Sequence, residues 1–255
     1  MTIRESILNK FKYKKKGAIL LLDPEKYIDT TGFNNIISKA VHHGVDFFFV
    51  GGSLLLQKNM DEIILHIKAI NPQIPVILFP GNVIQISDKA DGILFISLIS
   101  GRNPEFLIGQ HVVAAPLIAQ TPLEVLPTGY ILVNSGKATS VNYMSQTLPI
   151  PNDKPALAVA TGMAGRYLGL QYLYLDAGSG ADSPINPDII YHVKERVGLP
   201  LIVGGGIDSL DLAKTAWDKG ADYVVLGNGV EKNPSLLTEV LDYAKTYNLS
   251  LDVDQ

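Results

Sequence analysis

The stretch LIVGGGIDSLDLAKTAWDKGADYVVLGNGV, residues 201–230, contains the pattern that decides the fold. It opens with a short β-rich run, Leu201–Val203, which three glycines separate from an amphipathic segment that ends near Gly220. A second β-rich run, Tyr223–Leu226, follows and again leads into a glycine-rich turn. This order is typical of two parallel strands that are joined by a crossover helix.

The same pattern recurs along the chain and predicts eight parallel strands. Most of the β-rich runs are apolar throughout, as expected of strands whose outer face is covered by helices. Because the runs follow one another with no break in composition, we expect an α/β fold: a single-domain (β/α)8 TIM barrel over residues 1–255. A doubly wound open sheet is the alternative, but it gives no reason for evenly spaced strands. The predicted strands are Ala18–Leu22, Val45–Val50, Val76–Phe79, Gly92–Ile96, Tyr130–Val133, Tyr172–Leu175, Leu201–Val203 and Tyr223–Leu226.

Two crossovers depart from the regular spacing. The third, residues 81–91, is too short for a full helix with two loops, so we expect it to be shortened. The fifth is long, because residues 134–154 precede any convincing helix, and such an insertion after strand 5 predicts a lid, a binding loop or a subunit contact. Helix starts are marked elsewhere: Asn59 with Glu62 resembles a capping box, and Asn103-Pro104 is typical of a helix beginning.

The composition excludes several classes of protein. With 47% apolar and 18% charged residues, the chain is expected to bury a large core rather than to be disordered. No cysteine is present, which excludes disulfides, thiolate zinc sites, iron–sulfur clusters and cysteine nucleophiles. A formal net charge of −4 argues against nucleic acid as a partner. The longest uncharged stretch, 106–123, is too polar to span a membrane, so we expect a soluble, cytoplasmic protein whose Lys12–Lys16 segment is solvated.

Glycine-rich turns follow two neighbouring predicted strands at the end where barrels of this type carry their active sites. Gly205 and Gly206 follow the seventh strand, and Gly227 and Asn228 follow the eighth. Backbone N–H groups in such turns can approach an anion closely, and these two strand ends form the usual phosphate site of the fold. The alternative is that the glycines only form tight turns. Their occurrence at both matching strand ends favours phosphate binding.

Two carboxylates also end predicted strands. Asp176 shares a strand face with Tyr172 and Tyr174, so all three should point into the barrel, where a carboxylate suits a hydrogen bond to a polyol hydroxyl. The alternative is a buried Asp that caps the next helix. Asp23 ends the first strand and Ser53 follows the second, so their oxygens could hold a hard divalent cation. A role for Asp23 as an N-cap or turn residue is equally compatible with the spacing.

The remaining polar residues give weaker signals. Arg102 lies beside the predicted helix start at Asn103, where a second phosphate could dock. The five histidines lack metal-ligand spacing, and none is assigned to a metal. The sequence contains no P-loop, no GxGxxG after the first strand and no GxSxG elbow.

Taken in order, the segments at the strand ends resemble the geranylgeranylglyceryl phosphate synthase family, also called the PcrB-like family. Each motif is weak alone, whereas the ordered set, from about residue 15 to residue 245, is specific. The chain length and the long segment after the fifth strand are similar to the larger, archaeal-type branch, which has bacterial members. The segments that carry the resemblance are Leu22-Asp23-Pro24-Glu25-Lys26, Val50-Gly51-Gly52-Ser53, Phe79-Pro80-Gly81, Ser97 to Val112, Tyr174-Leu175-Asp176-Ala177-Gly178-Ser179-Gly180-Ala181, Val203-Gly204-Gly205-Gly206-Ile207 and Leu226-Gly227-Asn228-Gly229-Val230-Glu231.

The resemblance implies a prenyltransferase that joins sn-glycerol 1-phosphate to geranylgeranyl diphosphate, or a related polyprenyl diphosphate, through an ether bond in membrane lipid synthesis. It implies Mg²⁺ as the cofactor, with Asp23 and Ser53 as ligands, and Asp23 and Asp176 as catalytic residues. We also expect a homo-oligomer without a transmembrane segment, in transient contact with the membrane for the lipid tail. The substrate-binding residues that the resemblance implies are Tyr174, Leu175, Asp176, Ala177, Gly178, Ser179, Gly180, Gly205, Gly206, Gly227 and Asn228.

One departure from the family and two other functions stay open. The family usually has Glu at the position of Asp176, so the shorter side chain could act as a general base or could only position the glycerol. A different (β/α)8 enzyme, an isomerase or epimerase of a sugar phosphate, would need a paired acid and base at the mouth, and the sequence offers no candidates beyond Asp23 and Asp176. A non-catalytic barrel that binds a flavin or another phosphate ligand is the third reading.

Overall fold

The computed structural model describes residues 1–26, 30–53 and 59–253 and shows a closed barrel of eight parallel strands. Strand β1 is hydrogen-bonded to β2 on one side and to β8 on the other, with Ile19 opposite both Phe47 and Val225. The predicted (β/α)8 barrel is therefore confirmed. The strands are β1 (Gly17–Leu22), β2 (Phe47–Val50), β3 (Val76–Leu78), β4 (Gly92–Leu98), β5 (Glu124–Leu132), β6 (Tyr172–Asp176), β7 (Leu201–Gly204) and β8 (Tyr223–Leu226).

Helices cover the outer face of the barrel. Between β3 and β4 the chain forms only a 3-10 turn, Val83–Gln85, which confirms the shortened third crossover. The long segment after β5 contains one short helix, α5, before the crossover helix α6. The described α-helices are α1 (Ile3–Tyr13), α2 (Thr30–His43), α3 (Met60–Ile70), α4 (Gln110–Ile118), α5 (Ser140–Ser145), α6 (Pro155–Tyr167), α7 (Pro187–Val197), α8 (Leu210–Asp218), α9 (Asn228–Lys232) and α10 (Ser235–Val253).

The fifth strand differs most from its predicted bounds. It begins at Glu124, six residues before the predicted start at Tyr130, and pairs with β4 from there onward, with Glu124 opposite Gly92. Pro127 interrupts the apolar run and is unusual inside a sheet, which is why the first half of the strand was not predicted. The bounds of the other strands agree with the predictions to within two residues.

Helices begin at both predicted starts, but only one of them has a side-chain cap. The capping box at Asn59 is wrong, because the Asn59 amide makes no cap on α3 and donates instead to the carbonyl of Pro24 at 3.1 Å. At the other start, the Asn103 side chain accepts the backbone N–H of Glu105 at 3.1 Å, as an N-terminal cap does. The turns that follow form a π-helix, Glu105–Gly109, which leads directly into α4.

Alternate side chains of the strands divide the apolar core into two layers. One layer fills the barrel and includes Tyr172 and Tyr174. The other lies between the strands and the helices and includes Leu173 and Leu175. The predicted orientation of β6 is confirmed, and Asp176, the next residue in the inward series, lies at the carboxyl end of the barrel interior.

Helix α1 closes the opposite, amino-terminal end of the barrel. Its residues Ile3 and Ile7 are buried and pack with the layer inside the barrel. The carboxylate of Glu124, at the start of β5, accepts hydrogen bonds from the backbone N–H groups of Ile3 at 2.7 Å and Arg4 at 2.8 Å. These contacts satisfy amides that the first turn of a helix leaves without intrahelical partners. The open end of the barrel is therefore the carboxyl end.

The lysine-rich segment before β1 is less exposed than predicted. Lys16 is only 5% exposed, and its ammonium group donates to Asp218 at 2.9 Å. It also lies 3.9 Å from the centre of the Tyr247 ring, which α10 places over it. The prediction of a solvated segment is therefore wrong at Lys16. Among the described residues, no helix combines the length and the apolar composition that crossing a bilayer requires.

Candidate functional site

A cavity of about 280 Å³ opens at the carboxyl end of the barrel, where the loops after the strands meet. This is the end at which barrels of this type carry their active sites. The structure brings together most of the residues that were predicted to form the site. Those that line the cavity are Asp23, Ser53, Tyr174, Asp176, Gly178, Ser179, Gly180, Gly205, Gly206, Gly227 and Asn228.

Two of the residues implied to bind substrate do not line the cavity. Leu175 is fully buried and packs in the layer between the strands and the helices. Ala177 is buried in the same layer, and its backbone N–H donates to the carbonyl of Gly204 at 3.1 Å. The structure therefore places both residues behind the site, because alternate side chains of a strand face away from the barrel interior.

Asp176 lies at the bottom of the cavity and is 7% exposed. The phenol of Tyr130 donates to its Oδ2, and the backbone N–H of Gly178 donates to its Oδ1 at 2.8 Å. Burial raises the pKa of Asp176 above its ordinary value, and these two hydrogen bonds oppose the rise because they stabilise the carboxylate. Gly205 approaches so closely that a Cβ added to it would lie 2.6 Å from Oδ1.

Three aromatic rings line the cavity beside this carboxylate. The ring centre of Tyr174 lies 5.2 Å from that of Phe79 and 5.4 Å from that of Tyr130. Burial, together with the negative charge of Asp176, raises the pKa of both tyrosines well above the ordinary value, so the phenols are neutral and Tyr130 can donate to the carboxylate. Tyr130 was not predicted as a site residue. It lies opposite Tyr174 in the β5–β6 register, so the alternation of β5 would have identified it.

The loops after β7 and β8 form the side of the cavity next to Asp176. Gly205 and Gly206 have φ angles of +76° and +70°, which glycine adopts at little cost. Gly227 has a different environment, because the nearest protein atoms to an added Cβ lie on Leu21 at 3.9 Å. Gly205 and Gly206 therefore lie in a tight turn that packs against other protein atoms, whereas Gly227 borders the open cavity. Glycine backbone of this kind lets an anion approach closely.

Asp23 and Ser53 lie at the neighbouring ends of β1 and β2. A Cβ on Gly52 would lie 3.3 Å from Asp23 Oδ1, so this carboxylate rests against the loop that carries Ser53. The backbone N–H of Glu25 donates to the same oxygen at 3.1 Å, and burial raises the pKa of Asp23. Within the described ranges, no three His, Cys, Asp or Glu side chains come together as metal ligands. A cation here would rely on Asp23, Ser53 and substrate oxygens, a donor set that Mg²⁺ accepts.

A chain of hydrogen bonds links three loops at the mouth of the cavity. Lys26 donates to both carboxylate oxygens of Glu231, at 3.0 and 2.9 Å, and to the side-chain oxygen of Asn228. The amide nitrogen of Asn228 in turn donates to the hydroxyl of Ser179 at 2.9 Å. No role for Lys26 or Glu231 was predicted, because 205 residues separate them and only the barrel closure brings them together.

The wall opposite the glycine loops is apolar. It is formed by β4, the π-helix after it, and α5, so the long segment after β5 contributes to the cavity. The side chains on this wall are Ile96, Phe106, Val141 and Met144. Arg102 is not among the cavity residues, because its guanidinium group donates to the carbonyl of Gly101 at 2.6 Å. The structure gives no support to a second phosphate at Arg102.

Two curated proteins similar to this chain carry the same name. The geranylgeranylglyceryl phosphate synthase of Spirosoma linguale is 47% identical over 247 residues, which cover 96% of this chain and 98% of that protein. The protein of the same name from Saccharolobus solfataricus is 34% identical, over 94% of this chain and 92% of that protein. The match thus extends over nearly the full length of both relatives.

A solved structure and a family model lead to the same assignment. The crystal structure of (S)-3-O-geranylgeranylglyceryl phosphate synthase from Thermoplasma acidophilum, in complex with the substrate sn-glycerol-1-phosphate, matches with a TM-score of 0.89 at 32% identity. The match covers 96% of this chain and 99% of that one. The model of the PcrB family matches residues 10–244. The resemblance of the strand-end segments is confirmed, and the chain belongs to the PcrB family.

Proposed function

We propose that this protein is a prenyltransferase that joins sn-glycerol 1-phosphate to geranylgeranyl diphosphate, or a related polyprenyl diphosphate, and releases diphosphate. The observation that carries the proposal is the convergence of three unlike surfaces in one cavity: glycine loops, an Asp–Ser pair and an apolar wall. These surfaces suit a phosphate, a divalent cation and a prenyl chain respectively. Relatives that carry the synthase name match nearly the whole chain.

The glycerol phosphate fits the side of the cavity formed by the loops after β7 and β8. Its phosphate would lie against the backbone of Gly206 and Gly227, at the fold's usual phosphate position. Asp176 ends the adjacent strand β6 and presents its carboxylate to the same space, where it can accept a hydrogen bond from a glycerol hydroxyl. The Tyr130 hydrogen bond holds the carboxylate in this orientation.

The diphosphate fits the side of the cavity that carries Asp23 and Ser53. Their oxygens are the donor type that Mg²⁺ prefers, and the ion usually completes its shell with water and phosphate oxygens. When bound, Mg²⁺ would neutralise charge on the departing diphosphate. Asp23 and Ser53 would hold it on the β1–β2 side, away from the glycine loops.

In the reaction, a glycerol hydroxyl oxygen forms a bond to C1 of the prenyl chain. The bond from C1 to the diphosphate oxygen breaks, and diphosphate leaves with the electron pair. The hydroxyl proton passes to the Asp176 carboxylate or to water. Because the protein forms no covalent bond with either reactant, holding the two reactants in line is expected to supply much of the rate.

The test is incubation of the purified protein with sn-glycerol 1-phosphate, Mg²⁺ and prenyl diphosphates of increasing length, with the ether product detected by mass spectrometry. Asp23→Asn keeps the shape of the side chain and removes its charge, so we expect it to abolish turnover and to leave glycerol phosphate binding nearly intact. The matched control is Asp182→Asn, an exposed carboxylate of the β6 loop that pairs with Lys137 outside the cavity.

Two results would contradict different parts of the proposal. Absence of ether product with every prenyl diphosphate would overturn the prenyltransferase assignment. Full activity of Asp23→Asn, or activity of the wild type that a chelator does not reduce, would overturn the metal assignment alone. The expected homo-oligomer, cytoplasmic location and transient membrane contact stay predictions, and native mass spectrometry of the same sample tests the first of them.

A further inference from the structure

The charge of the cavity lining is opposite to what the proposed substrates require. Both substrates carry phosphate groups, and the diphosphate carries several negative charges. Among the described lining residues, Lys232 supplies the only ammonium group. The carboxylates on the lining are those of Asp23, Asp176, Asp208 and Glu231. Repulsion between like charges is strong where they are partly buried, so a further ammonium group next to a cation at Asp23 would favour binding of the diphosphate.

Lys26 is on the same turn as Asp23. Residues Pro24–Lys26 form a 3-10 turn, and the backbone N–H of Lys26 donates to the carbonyl of Asp23 at 3.0 Å. Pro24 is buried and has a restricted φ, so the turn is anchored in the core. The ammonium charge of Lys26 also acts on the Asp23 carboxylate and favours its ionised form. One short, anchored turn therefore carries both the carboxylate for a cation and an ammonium group.

The present partners of Lys26 are ones that an anion can replace. The ammonium group contacts the carboxylate of Glu231 and the amide oxygen of Asn228, both of which line the cavity. The side chains of Lys26 and Glu231 are 40% and 45% exposed, and an ion pair so accessible to water contributes little to stability. A lysine side chain is long and flexible, so a change of rotamer is enough to move the ammonium group from Glu231 toward an anion in the cavity.

We propose that Lys26 binds the diphosphate group of the prenyl substrate. Until the diphosphate binds and displaces the Glu231 carboxylate, Glu231 holds Lys26 beside the cavity. This inference rests on the proposed function, because it identifies the residue that receives the second substrate. Lys26 moves from one anionic partner to another. The exchange therefore costs less desolvation free energy than the transfer of a free ammonium group out of water.

Inorganic diphosphate is the probe for this proposal. Calorimetric titration in the presence of Mg²⁺ should give an affinity for Lys26→Met that is about tenfold or more below that of the wild type, as expected for loss of a charged hydrogen-bond donor. Lys26→Arg keeps the charge and should restore most of the affinity. Lys137→Met removes a comparably exposed lysine that pairs with Asp182 outside the cavity, and it should bind as the wild type does.

A second readout separates binding from support of the fold. In the ether-forming reaction, Lys26→Met should raise the KM for the prenyl diphosphate and leave the KM for glycerol phosphate nearly unchanged. Thermal unfolding of each variant shows whether the turn is intact. A lysine that only tied the β1 turn to the β8 loop would leave the diphosphate affinity and both KM values as they are in a variant that still folds.

A double-mutant cycle tests the part played by Glu231. Glu231→Gln removes the competing carboxylate and should tighten diphosphate binding by about two- to fivefold. If Glu231 acts by holding Lys26, this gain should disappear in the Lys26→Met background. A gain of equal size in that background would show general repulsion and would overturn the role of Glu231.

The outcomes distinguish this inference from the function on which it rests. Unchanged diphosphate affinity in a folded Lys26→Met variant that still forms the ether would overturn the inference and leave the prenyltransferase in place. A wild-type protein that neither binds diphosphate nor forms the ether would overturn both.

Discussion

Both Gly205 and Gly227 line the cavity, but a Cβ added at Gly205 would clash with neighbouring protein atoms, whereas one added at Gly227 would not. A Cβ at Gly205 would lie 2.6 Å from Asp176 Oδ1 at a φ of +76°, so a substitution there would disturb Asp176 itself. At Gly227 the nearest protein atom would lie at 3.9 Å, so the methyl group of Gly227→Ala would enter the cavity without a clash with the protein. We expect the KM for glycerol phosphate to rise about tenfold or more, because a difference of one methyl-sized group in a binding pocket usually changes substrate discrimination by at least that factor. Steady-state kinetics with an unchanged KM would show that the phosphate lies elsewhere.

The hydrogen bond from Tyr130 to Asp176 gives a second prediction for a single residue. Burial raises the pKa of Asp176, so its carboxylate is protonated on acidification at a higher pH than an ordinary Asp, and a reaction that uses the carboxylate loses activity there. Tyr130→Phe removes a hydrogen bond that stabilises the carboxylate and should raise this pKa further. The acidic limb of the kcat/KM profile should therefore move to higher pH.

Tyr172→Phe is the matched control, because Tyr172 is a buried tyrosine of β6 at the other end of the barrel. Within the part of the chain that the structure describes, its hydroxyl has no hydrogen-bond partner. Its removal should leave the pH profile unchanged and cost little stability. An identical shift of the acidic limb in both variants would mean that the Tyr130 hydrogen bond does not tune Asp176.

At the scale of secondary-structure elements, helix α5 presents two different faces. Met144 lines the cavity, whereas Tyr143 is 83% exposed and does not. Met144→Glu places a charge on the apolar wall and should raise the KM for the prenyl diphosphate about tenfold, because a charge is costly beside a hydrocarbon chain. The KM for glycerol phosphate should stay the same. Tyr143→Glu adds the same charge to the same short helix and should have wild-type kinetics, and equal effects of both variants would contradict the proposed prenyl wall.

At the scale of the whole molecule, stability and function lie at opposite ends of the barrel. Glu124 accepts the first amides of α1 and thereby holds that helix over the closed end. Glu124→Ala should reduce the free energy of unfolding by about 1–2 kcal/mol, the usual cost of losing a helix cap. Both KM values should be unchanged, because the cavity opens at the other end. Denaturant unfolding and steady-state kinetics of the same preparation check this, and a change in either KM would contradict the separation.

The repeated order of apolar β-rich runs, glycine-rich turns and amphipathic segments was sufficient to predict the barrel, because each of these signals depends on a few neighbouring residues. The prediction was wrong where a distant contact overrides a local signal. Pro127 interrupts the strand pattern in the first half of β5, although the hydrogen bonds between β5 and β4 maintain the strand there. Lys16 is charged and yet buried, because Asp218 and the ring of Tyr247 come to it from remote parts of the chain. Local patterns carry no information about such partners.

For the candidate site, the sequence by itself determined which residues end the strands: Asp23, Asp176 and the glycines of the last two loops. Parallel strands bring their carboxyl ends to one rim, so the order of residues was enough to gather these groups. Only the tertiary structure decided what each group touches. It placed Tyr130 on Asp176 and Lys26 on Glu231, through a strand register and a ring closure that join residues far apart in the chain. The burial that raises the pKa of Asp176 comes from that same packing, since it depends on the elements that surround the carboxylate.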